Sequence, residues 1–464
     1  MSGYNLRPRK HGASATPSYE FRLKRTTVGI TNINELPDMT LAKIFEKLPR
    51  KDRLKIEEVC KKWHYVGKNL SWANYRIFYN TGYWNWPKKS VMQVKSLFER
   101  CGHHLRHLIL WRWPPSTALV FLRLATGVQH LSFWSSKLDD EFLKELAIIA
   151  PHLKSLDLNP FKTSATSYEL GLMECLKAMT CLEYLSIQSV LFDQNSLVQF
   201  PSSLTYLCLY SVINADQILI RVAKDCKEIK GLRLRADMNE SAFNAISQMK
   251  SLTFLDLPFD IPYDIGYVFE ALDELRALAI NSLDELLLTT VARYCKKLEH
   301  LSIVHVGSPY AISPEEHANV LTFASLPSLC SFSIWIDKYS TQQITEFVSR
   351  LFDKQNLQHI YMNTYAFILP NVLFGMLRRC KAIQYIGVNV EQITRPMICQ
   401  AVDEIDQSDK QLQSEFVEGT HPIVEVQWDG DLPKPYKWLR FISQIPPAAI
   451  LDKWQYGWLS AGKP

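Results

Sequence analysis

The sequence predicts an α/β solenoid, a stack of about 12–13 strand–helix units, with a small three-helix unit ahead of it. Three observations predict this. An apolar-x-x-apolar-x-apolar signature recurs along most of the chain. Inside each unit the hydrophobic period changes from two residues to about 3.6. A stretch near the start has helical spacing and lacks the signature. A length of 464 residues would by itself suggest about three domains, but a repeat array overrides that prior.

The signature begins at Leu105, with Leu108 and Leu110. It returns at Val128, Leu153, Leu182, Leu204, Ile229, Leu252, Leu275, Leu298, Leu329, Leu357 and Ile383, at intervals of 22 to 31 residues. Successive strand side chains point to opposite faces, so the last two apolar positions share one face and the residues flanking them share the other. Between signatures the spacing is helical: Leu138, Phe142, Leu143 and Leu146 form one stripe, and Leu283, Leu286, Leu287, Thr290 and Val291 another. No unit can bury its own apolar side; stacking buries a continuous core.

Units of this length and signature resemble leucine-rich repeats, and the resemblance implies a curved solenoid with strands on its inner wall. Cys226, Cys295 and Cys380 each stand three residues before a signature, Ala150 takes that place in the third unit, and Cys101 sits one residue early in the first. This is similar to the cysteine-containing repeat subtype. The thiols themselves read as small buried hydrophobes at the end of the repeat helix.

In the helical unit, Leu41, Ile44, Phe45 and Leu48 fall at i, i+3, i+4, i+7. Pro37 suits the entry of that helix and Pro49 its stop. Asp52 is expected to cap a second helix carrying Leu54 and Ile56. A third has Val59, Cys60 and Trp63 on one side and Lys61 and Lys62 on the other. The order Leu36, Pro37, Leu41, Ile44, Phe45, Leu48, Asp52, Leu54, Val59, Cys60, Lys61, Lys62, Trp63 resembles the F-box, departing from it at Arg53 and Glu58, where that family usually has apolar residues. The resemblance implies docking on a Skp-type adaptor and, through it, a cullin–RING ubiquitin ligase. The implied adaptor contacts are Leu36, Pro37, Leu41, Ile44, Phe45, Leu48, Leu54, Val59 and Trp63. The alternative is a helical cap that merely shields the end of the solenoid.

The expected organisation is a disordered basic arm at 1–30, the F-box at 31–67, a junction with a cryptic first repeat at 68–103, the solenoid at 104–390 and a cap or tail at 391–464. Within the junction, Trp72–Tyr79 reads as a strand and Ser90–Arg100 as a helix. Gln392–Phe416 reads as a helix. Trp428, Trp438, Trp454 and Trp458 argue for an ordered tail, as an end cap or as a flap on the inner wall.

The residue before each second signature apolar is outward-facing: His107, His130, Ser155, Tyr184, Tyr206, Gly231, Phe254, Ala277, His300, Ser331, His359 and Tyr385. Further along several strands stand Ser132, Asp157, Arg233, Asp256 and Tyr361, then Trp111, Trp134, Tyr210, Arg235 and Trp335. Twelve strands at about 4.8 Å span roughly 58 Å, enough for a folded partner. Aromatic, His and Arg side chains favour a protein interface; stacking that merely stiffens the sheet is the alternative. The candidate target-binding set is His107, His130, Trp134, Tyr184, Tyr206, Arg233, Arg235, Phe254, His300, Trp335, His359 and Tyr385. Arg233 and Arg235 form the densest positive spot and suit an acidic or phosphorylated segment.

Lys+Arg 52 against Asp+Glu 47 leaves +5, all of it within residues 1–30, so no sequence-specific nucleic-acid function is expected. The arm suits a nuclear import signal, a loose contact with an anionic surface or, equally, a solubilising disordered tail. No uncharged apolar run reaches a membrane-spanning length and no secretory leader is evident, so cytoplasm, nucleus or both is the expected compartment, with ten reduced cysteines. No phosphate loop, nucleophile elbow or zinc-helix motif is present. Cys101, His103, His104 and His107 come nearest to a metal set but lack a fourth-ligand arrangement. The expectation is therefore a non-catalytic receptor subunit without cofactor or metal, binding a protein target for ubiquitination. A ubiquitin-independent repeat scaffold is the alternative.

Overall fold

The computed structural model describes residues 32–75, 77–80, 88–135, 138–160, 168–192, 198–257, 264–281, 285–305, 312–336, 339–351, 354, 356–363, 371–372, 375, 379–380, 382, 385–389, 423–427 and 438–442. The basic arm, the segment read as a helix at 392–416, and Trp428, Trp454 and Trp458 lie outside the described residues. Two compact units divide between Asn74 and Tyr75.

The first unit contains α1 (Asp38–Glu46), α2 (Arg50–Lys55) and α3 (Lys61–Asn69), preceded by a 3-10 turn at Ile33–Glu35. Pro37 holds the residue before α1 extended, and its carbonyl accepts from Thr40 and Leu41 at 2.9 and 3.0 Å. Pro49 repeats the device, its carbonyl accepting from Asp52 and Arg53. Asp52 does not cap α2, as its residue type suggests. It lies in the first turn, where a carboxylate still complements the helix dipole. Leu41, Ala42, Phe45 and Val66 form the buried core, with Leu36, Leu48, Ile56, Trp63 and Leu70 packed around it.

The second unit is a 15-stranded sheet. Its strands are β1 (Ile77–Asn80), β2 (His107–Trp111), β3 (His130–Ser135), β4 (Ser155–Pro160), β5 (Tyr184–Gln188), β6 (Tyr206–Tyr210), β7 (Gly231–Arg235), β8 (Phe254–Asp256), β9 (Ala277–Ile280), β10 (His300–His305), β11 (Ser331–Ile336), β12 (His359–Asn363), β13 (Tyr385–Asn389), β14 (Ile423–Gln427) and β15 (Trp438–Ile442). From β1 to β13 every described pair is parallel and in chain order; β15 and β14 then add an antiparallel hairpin. The helices between strands are α4 (Lys88–Cys101), α5 (Pro115–Leu124), α6 (Asp140–Ile149), α7 (Glu169–Ala178), α8 (Ala215–Asp225), α9 (Glu240–Ser247), α10 (Gly266–Ala271), α11 (Glu285–Tyr294), α12 (Pro314–Thr322) and α13 (Thr341–Leu351). This is a leucine-rich-repeat solenoid.

Its register follows from a repeated backbone staple. The carbonyl just before each strand accepts two N–H groups from the next unit: Arg106 from Gln129 and His130, Lys154 from Glu183 and Tyr184, Arg276 from Glu299 and His300. A one-residue slip would turn every side chain to the wrong face. Held in register, Leu108, Leu131, Leu156, Leu185, Leu207, Leu232, Leu255, Leu278 and Leu301 form one fully buried row facing the helices. Each such side chain contributes about 1.5–3 kcal/mol on burial.

Asp139 caps α6 by accepting from the Phe142 N–H at 2.9 Å. The expected stripe Leu138, Phe142, Leu143 and Leu146 is buried. On α11 the stripe is turned: Leu287, Leu288 and Val291 are buried and Leu286 is exposed, because Leu288, not Leu286, lies a turn from Val291 on the packed side. Leu283 lies outside the described residues. The cysteines expected at helix ends, Cys101, Cys226, Cys295 and Cys380, are buried, and burial pushes the Cys226 and Cys295 thiols up to about 12.

Gly171 lets α7 approach α6 closely: its N–H donates to Asp140 Oδ1 at 2.6 Å, and a β-carbon there would stand 2.6 Å from the Asp140 Cα. At the strand exits, Arg112, Ser189 and Ser211 adopt positive φ while their N–H groups donate to Trp134, Tyr210 and Arg235 on the next strand. Gly171→Ala is expected to cost about 1–3 kcal/mol through overpacking. Ser211→Gly is expected to gain about 0.5 kcal/mol, since relief of left-handed strain exceeds glycine's entropic cost. Denaturant titration of both variants checks the opposite signs.

Candidate functional site

Two surfaces draw on the residues singled out in the sequence. On the helical unit, Leu41 and Phe45 are buried in its own core, so these two expected adaptor contacts build the unit from beneath. Leu36, Leu48, Leu54 and Trp63 are half-buried, and Trp63 packs its ring on Phe45 with centroids 5.0 Å apart. Pro37, Ile44 and Val59 are exposed, Val59 at 60%. Ile33, Met39 and Tyr65, which the helical pattern did not single out, are exposed as well.

A core this small is completed by polar struts. Arg53 is buried, not apolar as the motif would have it. Its Nη1 donates to the Ser71 carbonyl at 3.2 Å, its Nη2 donates to the carbonyls of Glu46 and Leu48, and its guanidinium lies 4.7 Å over the Trp72 ring. One side chain thus satisfies the carbonyls left over where α1 ends. Glu58, the other departure, is exposed. Lys62, expected on the side of α3 opposite Trp63, donates to the carbonyls of Asn34 and Leu36.

On the sheet, the face turned away from the helices carries the second surface. Its first row runs in unbroken register through His107, His130, Ser155, Tyr184, Tyr206, Gly231, Phe254, Ala277, His300, Ser331, His359 and Tyr385. The side chains of Trp335 and Tyr385 lie outside the described residues. Neighbours in this row lean on each other. His107 and His130 stack at 4.3 Å, and the Tyr206 ring so covers Gly231 that a β-carbon there would meet it at 2.3 Å. Trp111 and Trp134 meet edge-on, and Trp134 Nε1 donates to Asp157 at 2.8 Å.

The positive spot is largely neutralised. Arg233 Nε lies 3.0 Å from one Asp256 oxygen and an Arg235 terminal nitrogen 2.7 Å from the other; the Arg233 and Asp256 side chains are only 11% and 7% exposed. Arg233 also donates to the Tyr210 hydroxyl, and Arg235 to the Leu257 carbonyl. Two guanidiniums on one carboxylate leave a single net positive charge, so the pattern suits an acidic segment less than two free arginines would. Burial pushes the Asp256 carboxyl up, against the pull of both guanidiniums. Arg276 lies off this face, paired with Glu299 at 2.6 Å.

Burial holds His107, His300 and His359 below the ordinary 6.5, and for His359 the neighbouring His300 charge adds to it. Both His359 ring nitrogens and the Ser302 hydroxyl are buried without a hydrogen-bond partner. Among the described residues no group of His, Cys, Asp and Glu has metal-holding geometry, and no helix is long and apolar enough to cross a membrane. Cys101 is buried, donating to the Leu97 carbonyl, away from a shared site with His107.

Comparison with known proteins agrees with the helical unit. Residues 33–77 match the F-box-like family. No curated protein matches the chain. Among solved structures, a chain of the Drosophila Toll–Spatzle complex is similar at 13% identity and TM-score 0.35, covering 68% of this chain and 49% of that one. The TLR13–ssRNA13 complex is similar at 15% identity and TM-score 0.27, covering 63% and 55%. The chain spans about half the length of these structures, and at such scores the fold assignment rests on the strand–helix ladder itself.

Two outcomes follow from the sheet face. Asp256→Asn strands two half-buried guanidiniums and is expected to cost about 3 kcal/mol in chemical unfolding, the low end for a buried pair because Arg235 keeps some solvent. The depressed histidines stabilise the fold fully above the unfolded value of 6.5, and that stability is lost as pH falls through their folded values, since the unfolded chain then binds more protons. The denaturant midpoint should fall from pH 7.5 to 5, and the slope should flatten in a His300→Gln/His359→Gln double variant. An identical slope refutes the assignment.

Proposed function

We propose that the chain is the substrate-recognition subunit of a cullin–RING ubiquitin ligase, with its F-box-like unit docking a Skp-type adaptor and the open sheet face of the repeats holding a protein target. The observation that carries this reading is the division within the F-box-like unit. Its core is closed by Leu41 and Phe45, yet Pro37, Met39, Ile44 and Val59 stay at the surface, with Met39 63% and Ile44 40% exposed. A nine-residue helix with buried and exposed apolar sides has one side to spare for a partner. Leu36, Pro37, Ile44, Leu48, Leu54 and Val59 are the proposed contacts, with Leu41, Phe45 and the half-buried Trp63 supporting them from within.

The subunit has no chemistry of its own to perform. Tethering a target beside the charged ubiquitin carrier raises their effective concentration and turns a bimolecular encounter into a local one. The half-exposed aromatic and His row over His107, His130, Tyr184, Tyr206, Phe254, His300 and His359 is the proposed target face, with Trp134, Arg233, Arg235, Trp335 and Tyr385 beside it. Large rings with a polar end suit an interface of moderate polarity. Cytoplasm, nucleus or both would be the compartment for this role.

A Leu36→Ala/Pro37→Ala variant, and separately Val59→Asp, should lose co-purification with the adaptor while the repeat unfolding transition is unchanged. Recovery at the level of the unaltered chain overturns the docking assignment and leaves the ubiquitin-independent repeat scaffold.

A further inference from the structure

The geometry assigns Lys62 and Trp63 a positioning role: they hold the Asn34–Pro37 segment in the conformation that presents it to the adaptor. The inference rests on the docking reading above.

This segment has little structure of its own. A single 3-10 turn, Ile33–Glu35, gives way to extended backbone at Leu36 (φ −59, ψ 142) and Pro37 (φ −56, ψ 146). Among the described residues no strand pairs with it, and Pro37 is exposed. What fixes it comes from the start of α3, 26 and 28 residues away in sequence. The Lys62 ammonium donates to the Asn34 carbonyl at 2.7 Å and the Leu36 carbonyl at 2.8 Å, and stands 3.5 Å from Asp38 Oδ1. These three partners match the three donors of an ammonium. Beside it, Trp63 Nε1 donates to Asn34 Oδ1 at 2.7 Å while its ring rests on Phe45.

The chemistry explains each residue type. A compact ammonium with three donors can gather two carbonyls and a carboxylate around one point. Placed near the positive end of α1, that charge would be unfavourable, and Asp38 in the first turn of α1 offsets it. Lys62 is about a third exposed and Asp38 nearly half, so the strut contributes little to global stability. Its effect falls on the segment: without it, the Asn34–Pro37 segment is held to α3 only through the packing of Leu36 on the core, its position against the helices loosens, and ordering it is charged against binding.

The test is calorimetric titration of the full chain with a recombinant Skp-type adaptor. Lys62→Met keeps the aliphatic stem and removes the donors. It should bind about 10- to 100-fold more weakly with an unchanged thermal midpoint, faster hydrogen exchange at the Leu36 amide, and partial recovery in Lys62→Arg. Trp63→Phe keeps the ring on Phe45 but loses the donor, and should weaken binding several-fold; it decides the matter if Lys62→Met is destabilised. Ile44→Asp, on the proposed surface but outside the strut, is the control. Loss of binding in Ile44→Asp with wild-type affinity in Lys62→Met, or in Trp63→Phe where Lys62→Met unfolds, overturns the positioning role alone. Wild-type affinity in Ile44→Asp overturns the docking reading beneath it.

Discussion

Everything in the repeat unit depends on the shared carbonyl at each strand entry. Because the Arg106 oxygen takes the N–H groups of both Gln129 and His130, and each later unit repeats the arrangement, register cannot drift along the sheet. Side-chain alternation then turns a one-dimensional pattern into two surfaces: a leucine row sealed against the helices and a row of rings and polar groups on the other side. The helices follow from the same constraint, since each must lay its apolar stripe on that leucine row. Strain is tolerated where the ladder demands it, as at Ser189 and Ser211, whose left-handed backbones keep their N–H groups bonded to the next strand.

The helical unit solves a different problem. With four buried apolar side chains in its central cluster, it has a small core with which to define every segment, and charged side chains complete the job. Arg53 collects the carbonyls at the end of α1, and Lys62 those just before its start. The two struts bracket one helix. They leave its outer apolar residues at the surface instead of drawing them into the core, which is what a docking unit needs.

The open sheet face is more self-satisfied than a list of its residues suggests. Rings stack along the row, Trp134 is committed to Asp157, and two arginines share Asp256. Such a face is stiff and nearly neutral. For the proposed target face, the matching surface is one of rings and uncharged polar groups, held by shape and buried area, with charge acting at one spot near β7 and β8.

Periodicity alone determined the repeat and its count, the buried row, the outward row and the helical character of the unit before it, because hydrophobic alternation and stacking are nearest-neighbour physics written directly in residue order. The tertiary structure decided the rest. Leu286 and Leu288 fit a helical stripe equally well until the sheet sets the helix rotation. Asp52 looks like a cap until Pro49 takes the position. Leu41 and Ile44 sit on one apolar stripe, yet packing buries the first and leaves the second outside. Lys62 and Arg53, read in sequence as the flank of a helix opposite Trp63 and as a departure from the motif, become struts only when segments up to 28 residues distant fold against them. Hydrogen bonds and ion pairs of that kind depend on distances no local pattern encodes.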